Sequence, residues 1–218
     1  MLNKPSLTMK KTLLFALISF ACLRLSAQSQ AEAYIKEAQD FLAQKNYKQA
    51  QMSLQDAIND LNVILATQIA ESLPDEVNGL KSTGEENANA GAMGMLGGGM
   101  TIQKNYAHPT KKENTAELMI VANSPMMAAM NMYINNPAML GQGYKSVRVG
   151  SRRAILKNEM EDFYDDNGSS KQIRSTELQI PLSQTLITLN LIGFATEAEE
   201  LAFANKLDIE KLKTALGE

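Results

Sequence analysis

Apolar residues recur with a helical period over the first third of the chain and with a strand period over the last half. From Gln30 to Gln44 the positions Tyr34, Ala38, Phe41 and Leu42 share one helical face. From Tyr47 to Leu73 the positions Ala50, Leu54, Ala57, Ile58, Leu61 and Leu65 do the same. Lys45-Asn46 is the turn between them, and Leu73-Pro74 ends the second helix. This pattern predicts a helical hairpin over residues 28–73, with one apolar face available for docking.

Residues 74–99 have no period and are rich in Gly, Asn, Glu and Ser, which predicts a linker or long loop ending in the Gly/Met-rich stretch Gly91 to Met100. Alternation then begins. Thr101 to Ala107 and Thr115 to Ala122 read as strands joined across His108 to Asn114. Ser124-Pro125 opens a helix carrying Met126, Met127, Met130, Tyr133 and Ile134 on one face, and Asn136-Pro137 closes it. Tyr144 to Val149, Arg153 to Phe163, Ile173 to Leu182 and Thr185 to Phe194 read as further strands, with Asp166-Asn167-Gly168 as a hairpin turn. In the last of these Ile187, Leu189 and Leu191 face one side and Leu186, Ile192 and Phe194 the other, as in a central strand. Thr196 with Glu199 forms a capping box, and Asp208 caps a final short helix. The expected fold is α+β: a helical hairpin, then over residues 100–218 an antiparallel sheet of about five to six strands with flanking helices.

Two resemblances accompany this reading. Ala38, Phe41, Tyr47, Ala50, Leu54 and Ala57 match the small and aromatic positions of a tetratricopeptide hairpin, but Asn62 stands where that repeat closes with proline, and no second copy follows. Over roughly residues 73–217 the chain resembles a family of exported bacterial proteins of unknown function. The resemblance is carried by Gly97-Gly-Gly99 before Tyr106, Ser124-Pro125-Met126, Asn136-Pro137, Val149-Gly150 with Arg153-Ala154, and Leu207-Asp208-Ile209 with Leu212. It implies no biochemical activity. The order of elements is also compatible with the PsbP-like sandwich of photosystem assembly proteins, an analogy of fold alone.

The first 27 residues change the picture of where the protein works. Lys10 and Lys11 precede the apolar run Leu13 to Cys22, and Ser26-Ala27 supplies a small-residue exit, which together predict a secretory signal peptide. Translation starts at Met1 or Met9, and the mature chain is expected in the periplasm or cell envelope. Lipoprotein processing at Cys22 is the weaker alternative, since Ser19 is not the aliphatic residue such a site prefers. Removal of the leader takes Lys4, Lys10, Lys11 and Arg24 and no acid, so a formal charge of −3 becomes about −7. An acidic chain disfavours general binding of nucleic acid or anionic lipid. The sole cysteine leaves with the leader, and no later apolar run is long enough to span a membrane.

Candidate chemistry is sparse. His108 is the only histidine and sits beside Pro109 in a turn, so neither a nucleophilic triad nor a zinc site assembles from histidine and cysteine. Glu159, Glu161, Asp162, Asp165 and Asp166 gather before Asn167-Gly168, but Phe163 falls where an EF-hand needs its first acid. Glu161 and Glu177 are a conceivable acid and base pair on neighbouring strands. Lys145, Arg148, Arg152, Arg153 and Lys157 form a dense basic group suited to an acidic partner or anion, or simply to one polar sheet face. Met93, Met95 and Met100, spaced by glycines, offer thioethers to Cu(I). The sequence therefore predicts a non-catalytic exported interaction or scaffold protein without a cofactor, acting on an envelope partner or on itself. Copper handling through the methionine loop is the alternative.

Overall fold

The computed structural model describes residues 30–90, 99–122, 141–165 and 167–218. The expected leader, the helix after Ser124-Pro125, and Met93 and Met95 lie outside the described residues. Contacts divide the chain into two units, one ending at Asp60 and the other running from Leu61 to Glu218.

The first unit is a pair of helices, α1 (Gln30–Ala43) and the beginning of α2 (Tyr47–Ser72). Lys45 takes the left-handed conformation at φ 57°, which lets the Asn46 amide donate back to the Phe41 carbonyl at 2.9 Å and close α1. The Asn46 carbonyl then accepts from Ala50 N at 3.1 Å and opens α2. Two long-range bonds fix an antiparallel pairing: Ala31 N donates to Asp60 Oδ2 at 2.8 Å, and Ser53 Oγ donates to Glu37 Oε2 at 2.9 Å. The buried positions between the helices are Ala31, Ala38, Ala50, Ser53 and Ala57. Side chains this small let the two axes approach closely, at the cost of burying little apolar area.

The second unit is an eight-stranded antiparallel sheet, β1 (Glu76–Val77), β2 (Leu80–Ala90), β3 (Met100–Ala107), β4 (Thr115–Ala122), β5 (Tyr144–Val149), β6 (Arg152–Tyr164), β7 (Ser170–Pro181) and β8 (Leu186–Ile192). The spatial order is β1-β2-β3-β4-β8-β7-β6-β5, so two four-stranded meanders meet where their last strands pair. The sequence predicts five to six strands; the two additional ones, β1 and β2, come from residues 74–99, whose composition predicts a linker. Alternation is weak in β2, whose residues are mostly polar. Its ladder to β3 makes it a strand, and the register slips between Ser82 and Glu86, around Gly84 at φ 76°.

Cross-strand rows build the core. Ile102, Ile120, Ile187 and Ile180 line up across β3, β4, β8 and β7, and Leu118, Leu189, Leu178 and Leu156 continue the Lys104 row. Two short helices, α3 (Glu197–Asn205) and α4 (Ile209–Ala215), join Phe203, Ala204, Leu207, Ile209 and Leu212 to this core. Both expected caps are present: Thr196 Oγ1 accepts from Glu199 N at 3.3 Å, and Asp208 Oδ1 accepts from Lys211 N at 3.1 Å. Phe203 meets Tyr106 and Phe194 edge to face at centroid distances of 5.7 and 5.8 Å. The sequence assigns all of α2 to the hairpin, yet its last turns supply Ala66, Ile69, Ala70 and Leu73 to the sheet core. That end is pinned through β3, where the buried Lys104 Nζ donates to the Leu73 carbonyl at 3.2 Å and to Asp75 Oδ1 at 3.1 Å, and Tyr106 donates to the Pro74 carbonyl at 2.9 Å.

Candidate functional site

In the helix pair the apolar face expected from the sequence divides in two. Ala50 and Ala57 are buried, whereas Leu54 and Ile58 on the same stretch of α2 stay exposed, as do Ile35 and Leu42 on α1 and Tyr47 at the start of α2. Each of these five large side chains keeps 40–67% of its surface uncovered. Ile35 and Leu42 each follow a buried alanine by four residues, while Leu54 and Ile58 each follow a buried Ser53 or Ala57 by one. In an antiparallel pair, both offsets turn the side chains toward the same side. The pairings Ala31 to Asp60 and Glu37 to Ser53 also bring Ile35 level with Leu54 and Ile58. The result is an apolar stripe above a floor of alanines. Ile35 is the member that sequence reasoning missed, although its seven-residue interval to Leu42 was a usable signal.

The basic group does not form one cationic surface. Register places Lys145 and Arg152 on the face that also carries Val147 and Leu156, and Arg148, Arg153 and Lys157 on the other. Lys145 pairs with Glu197 of α3, and Arg152 clasps Glu210 of α4 through Nε at 2.7 Å and Nη2 at 3.0 Å. The Arg152 hydrogen bonds hold the Glu210 carboxyl below the usual carboxylate range. On the opposite face Lys157 pairs with Glu159 at 2.5 Å, which raises its ammonium pKa, and lies 5.6 Å from the Tyr144 ring. Arg148 donates to the Ser151 carbonyl at 3.1 Å. Much of the charge is thus satisfied within the unit.

Of the expected acidic cluster, Asp162 and Asp165 are engaged locally, and Asp166 lies outside the described residues. Asp165 Oδ1 accepts from Asn167 N at 2.9 Å and Ser169 N at 2.8 Å and closes the β6–β7 turn, while Asp162 accepts from Gln172. Among the described residues no group of three or more His, Cys, Asp or Glu gathers in a way that could hold a metal ion. Glu161 is opposite Ile173 and Glu177 opposite Lys157, so the two glutamates are four residues out of register, roughly 13 Å along the strands. That exceeds the separation of a glycosidase pair. His108 Nδ1 accepts from Thr110 N at 3.2 Å and Lys111 N at 3.1 Å, which makes it a turn-closing acceptor. Met100 lies fully buried in β3, so its thioether packs in the core rather than standing on a flexible loop.

One cleft of about 320 Å³ opens between the β3–β4 loop and the β6–β7 turn, lined by Thr110, Lys112, Glu113, Phe163, Asp165 and Lys171 among others. Lys171 Nζ donates to Glu113 Oε1 at 2.5 Å and also lies 5.7 Å from the Phe163 ring. That hydrogen bond keeps the Glu113 carboxyl below its ordinary pKa. The loop is anchored by Asn114 Nδ2, which donates to the Ile192 carbonyl at 3.1 Å, and by close packing of Glu113 on Gly193. The charged side chains of this lining are engaged locally, Glu113 by Lys171 and Asp165 by the backbone of its own turn.

A buried network lies elsewhere in the same unit. Arg174 donates from Nε and Nη2 to the fully buried Glu200 at 3.1 Å each, and Thr176 Oγ1 donates to Glu200 Oε1 at 2.8 Å. Glu200 raises the Arg174 pKa further and locks α3 to β7.

No family model, curated protein or solved structure matches this chain. The class defined by the described residues is therefore architectural: an α+β protein with an N-terminal helix pair, an eight-stranded antiparallel sheet and C-terminal helices.

Proposed function

We propose that this chain is a non-catalytic, exported interaction protein of the cell envelope, and that the helix pair is its contact surface. The observation that carries the reading is the apolar stripe of Ile35, Leu42, Tyr47, Leu54 and Ile58, left exposed while alanines fill the interior of the same unit. Five large apolar side chains on one side of a two-helix element form a patch of the kind that marks protein contact. Pairing of Lys145, Arg152 and Lys157 with Glu197, Glu210 and Glu159, and their division between two sheet faces, weigh against the competing use of that group as one anion-binding face.

Site-specific photo-crosslinking in the intact producing cell tests the proposal. A crosslinker at Ile58 is expected to give a discrete protein adduct, whereas one at exposed Lys206 of the sheet unit gives none. Equal, diffuse labelling from both positions would remove the basis for the reading.

A further inference from the structure

We infer that the partner covering the stripe is a second copy of this chain, so that two helix pairs join through their apolar sides as a four-helix bundle. The inference rests on the proposed role of the helix pair as a contact surface and names its occupant.

Area is the first argument. Large aliphatic and aromatic side chains each carry roughly 150–200 Å² of surface, so five of them at the observed exposures leave roughly 430 Å² uncovered. A standard interface takes about 800 Å² from each partner, of which about 56–58% is apolar, or roughly 450 Å². The stripe supplies about that amount, and a second copy brings the same area in the same pattern.

Charge is the second. A surface can meet its own copy only when it does not repel itself. The residues beside the stripe on its open sides are Gln39, Gln51 and Gln55, with Glu32 and Lys36 one turn apart on α1 and of opposite sign, and Lys48 in line with Gln55 on α2. Amides form most of this border and one lysine per protomer is left over beyond the Glu32 and Lys36 pair, so the like-charge penalty on self-association is small and the border offers only a weak field to select a charged stranger. A two-fold arrangement also suits the geometry, because the same patch serves both partners and the assembly closes at two.

Sedimentation equilibrium on the mature full-length chain, from low micromolar to about millimolar concentration, tests the inference. The wild type is expected to sediment as a dimer with micromolar dissociation. Leu54→Glu with Ile58→Glu is expected to weaken association at least about 100-fold, while Leu54→Met with Ile58→Leu preserves it. Circular dichroism on each variant separates loss of association from loss of helix. A dimer that survives both glutamates with its helices intact overturns the assignment of the interface. A wild-type monomer over the whole range overturns the second copy as occupant. In that case a heterologous adduct from Ile58 in cells leaves the interaction reading standing, and its absence removes that reading too.

Discussion

The two units solve the burial problem in opposite ways. In the sheet unit Ile102, Leu118, Ile120, Leu178, Ile187 and Leu189 are all but fully buried, and the half-buried positions that alternate with them in β3, β4 and β8 carry mostly polar side chains. In the helix pair the buried positions are alanines and a serine, and the leucines and isoleucines remain outside. A sheet meander presents one continuous face that helices can cover, so its largest side chains reach the interior. Two helices alone have a single line of contact, and whichever residues occupy that line are buried regardless of size. The small residues hold that line here, and the large ones are left for another surface.

Substitutions of graded severity sharpen this contrast. Phe203→Ala in the sheet core should cost the most, about 3–5 kcal/mol in chemical denaturation, because it opens a cavity against Tyr106 and Phe194. Glu200→Ala should follow at about 3 kcal/mol, since it strands the Arg174 guanidinium and the Thr176 hydroxyl; a Glu200→Met, Arg174→Met double variant should recover much of the loss. Gly193→Ala should cost about 2 kcal/mol or more. Its φ of 72° disfavours any side chain, and an added Cβ would stand 2.2 Å from the Glu113 carbonyl oxygen.

Acid titration gives a smaller effect. Glu113 and Glu210 have lowered pKa values, so their ion pairs stabilise the fold above the ordinary carboxylate pKa of about 4.3 and lose that contribution as pH falls through the lowered values. Lys171→Met and Arg152→Met should each flatten the dependence of the urea midpoint on pH below about 4.3. Both pairs lie near the surface, so added salt should reduce the difference. Leu54→Ser should change the stability of an isolated protomer least, by less than about 0.5 kcal/mol, in contrast to its burial-dependent counterparts in the sheet. A large loss measured for Leu54→Ser in dilute monomer would break the contrast between the two units.

Strong periodicity made much of the fold legible. Both helices of the hairpin, six strands and the N-caps at Thr196 and Asp208 follow from local patterns, although the Glu199 carboxylate accepts from Ala195 N rather than completing a capping box at Thr196 N. β2 was illegible because its polar sequence has little strand propensity of its own, and its backbone bonds to β3 supply what composition does not. Met100 reads in the sequence as the end of a glycine loop, whereas pairing with Ala122 makes it the first core residue of β3. The basic group appeared as one face because its partners Glu197 and Glu210 lie more than fifty residues away in sequence.

By itself the sequence determined the secondary structure wherever a period ran long enough to set one face against another, because a side chain's direction follows from the backbone repeat. It also set the acidic balance and the scarcity of nucleophiles and metal ligands. Only the tertiary structure decided which apolar residues are interior. Leu54 and Ala57 satisfy the same helical pattern, but contact with α1 fell to the alanine and left the leucine exposed, because burial depends on what another segment can reach.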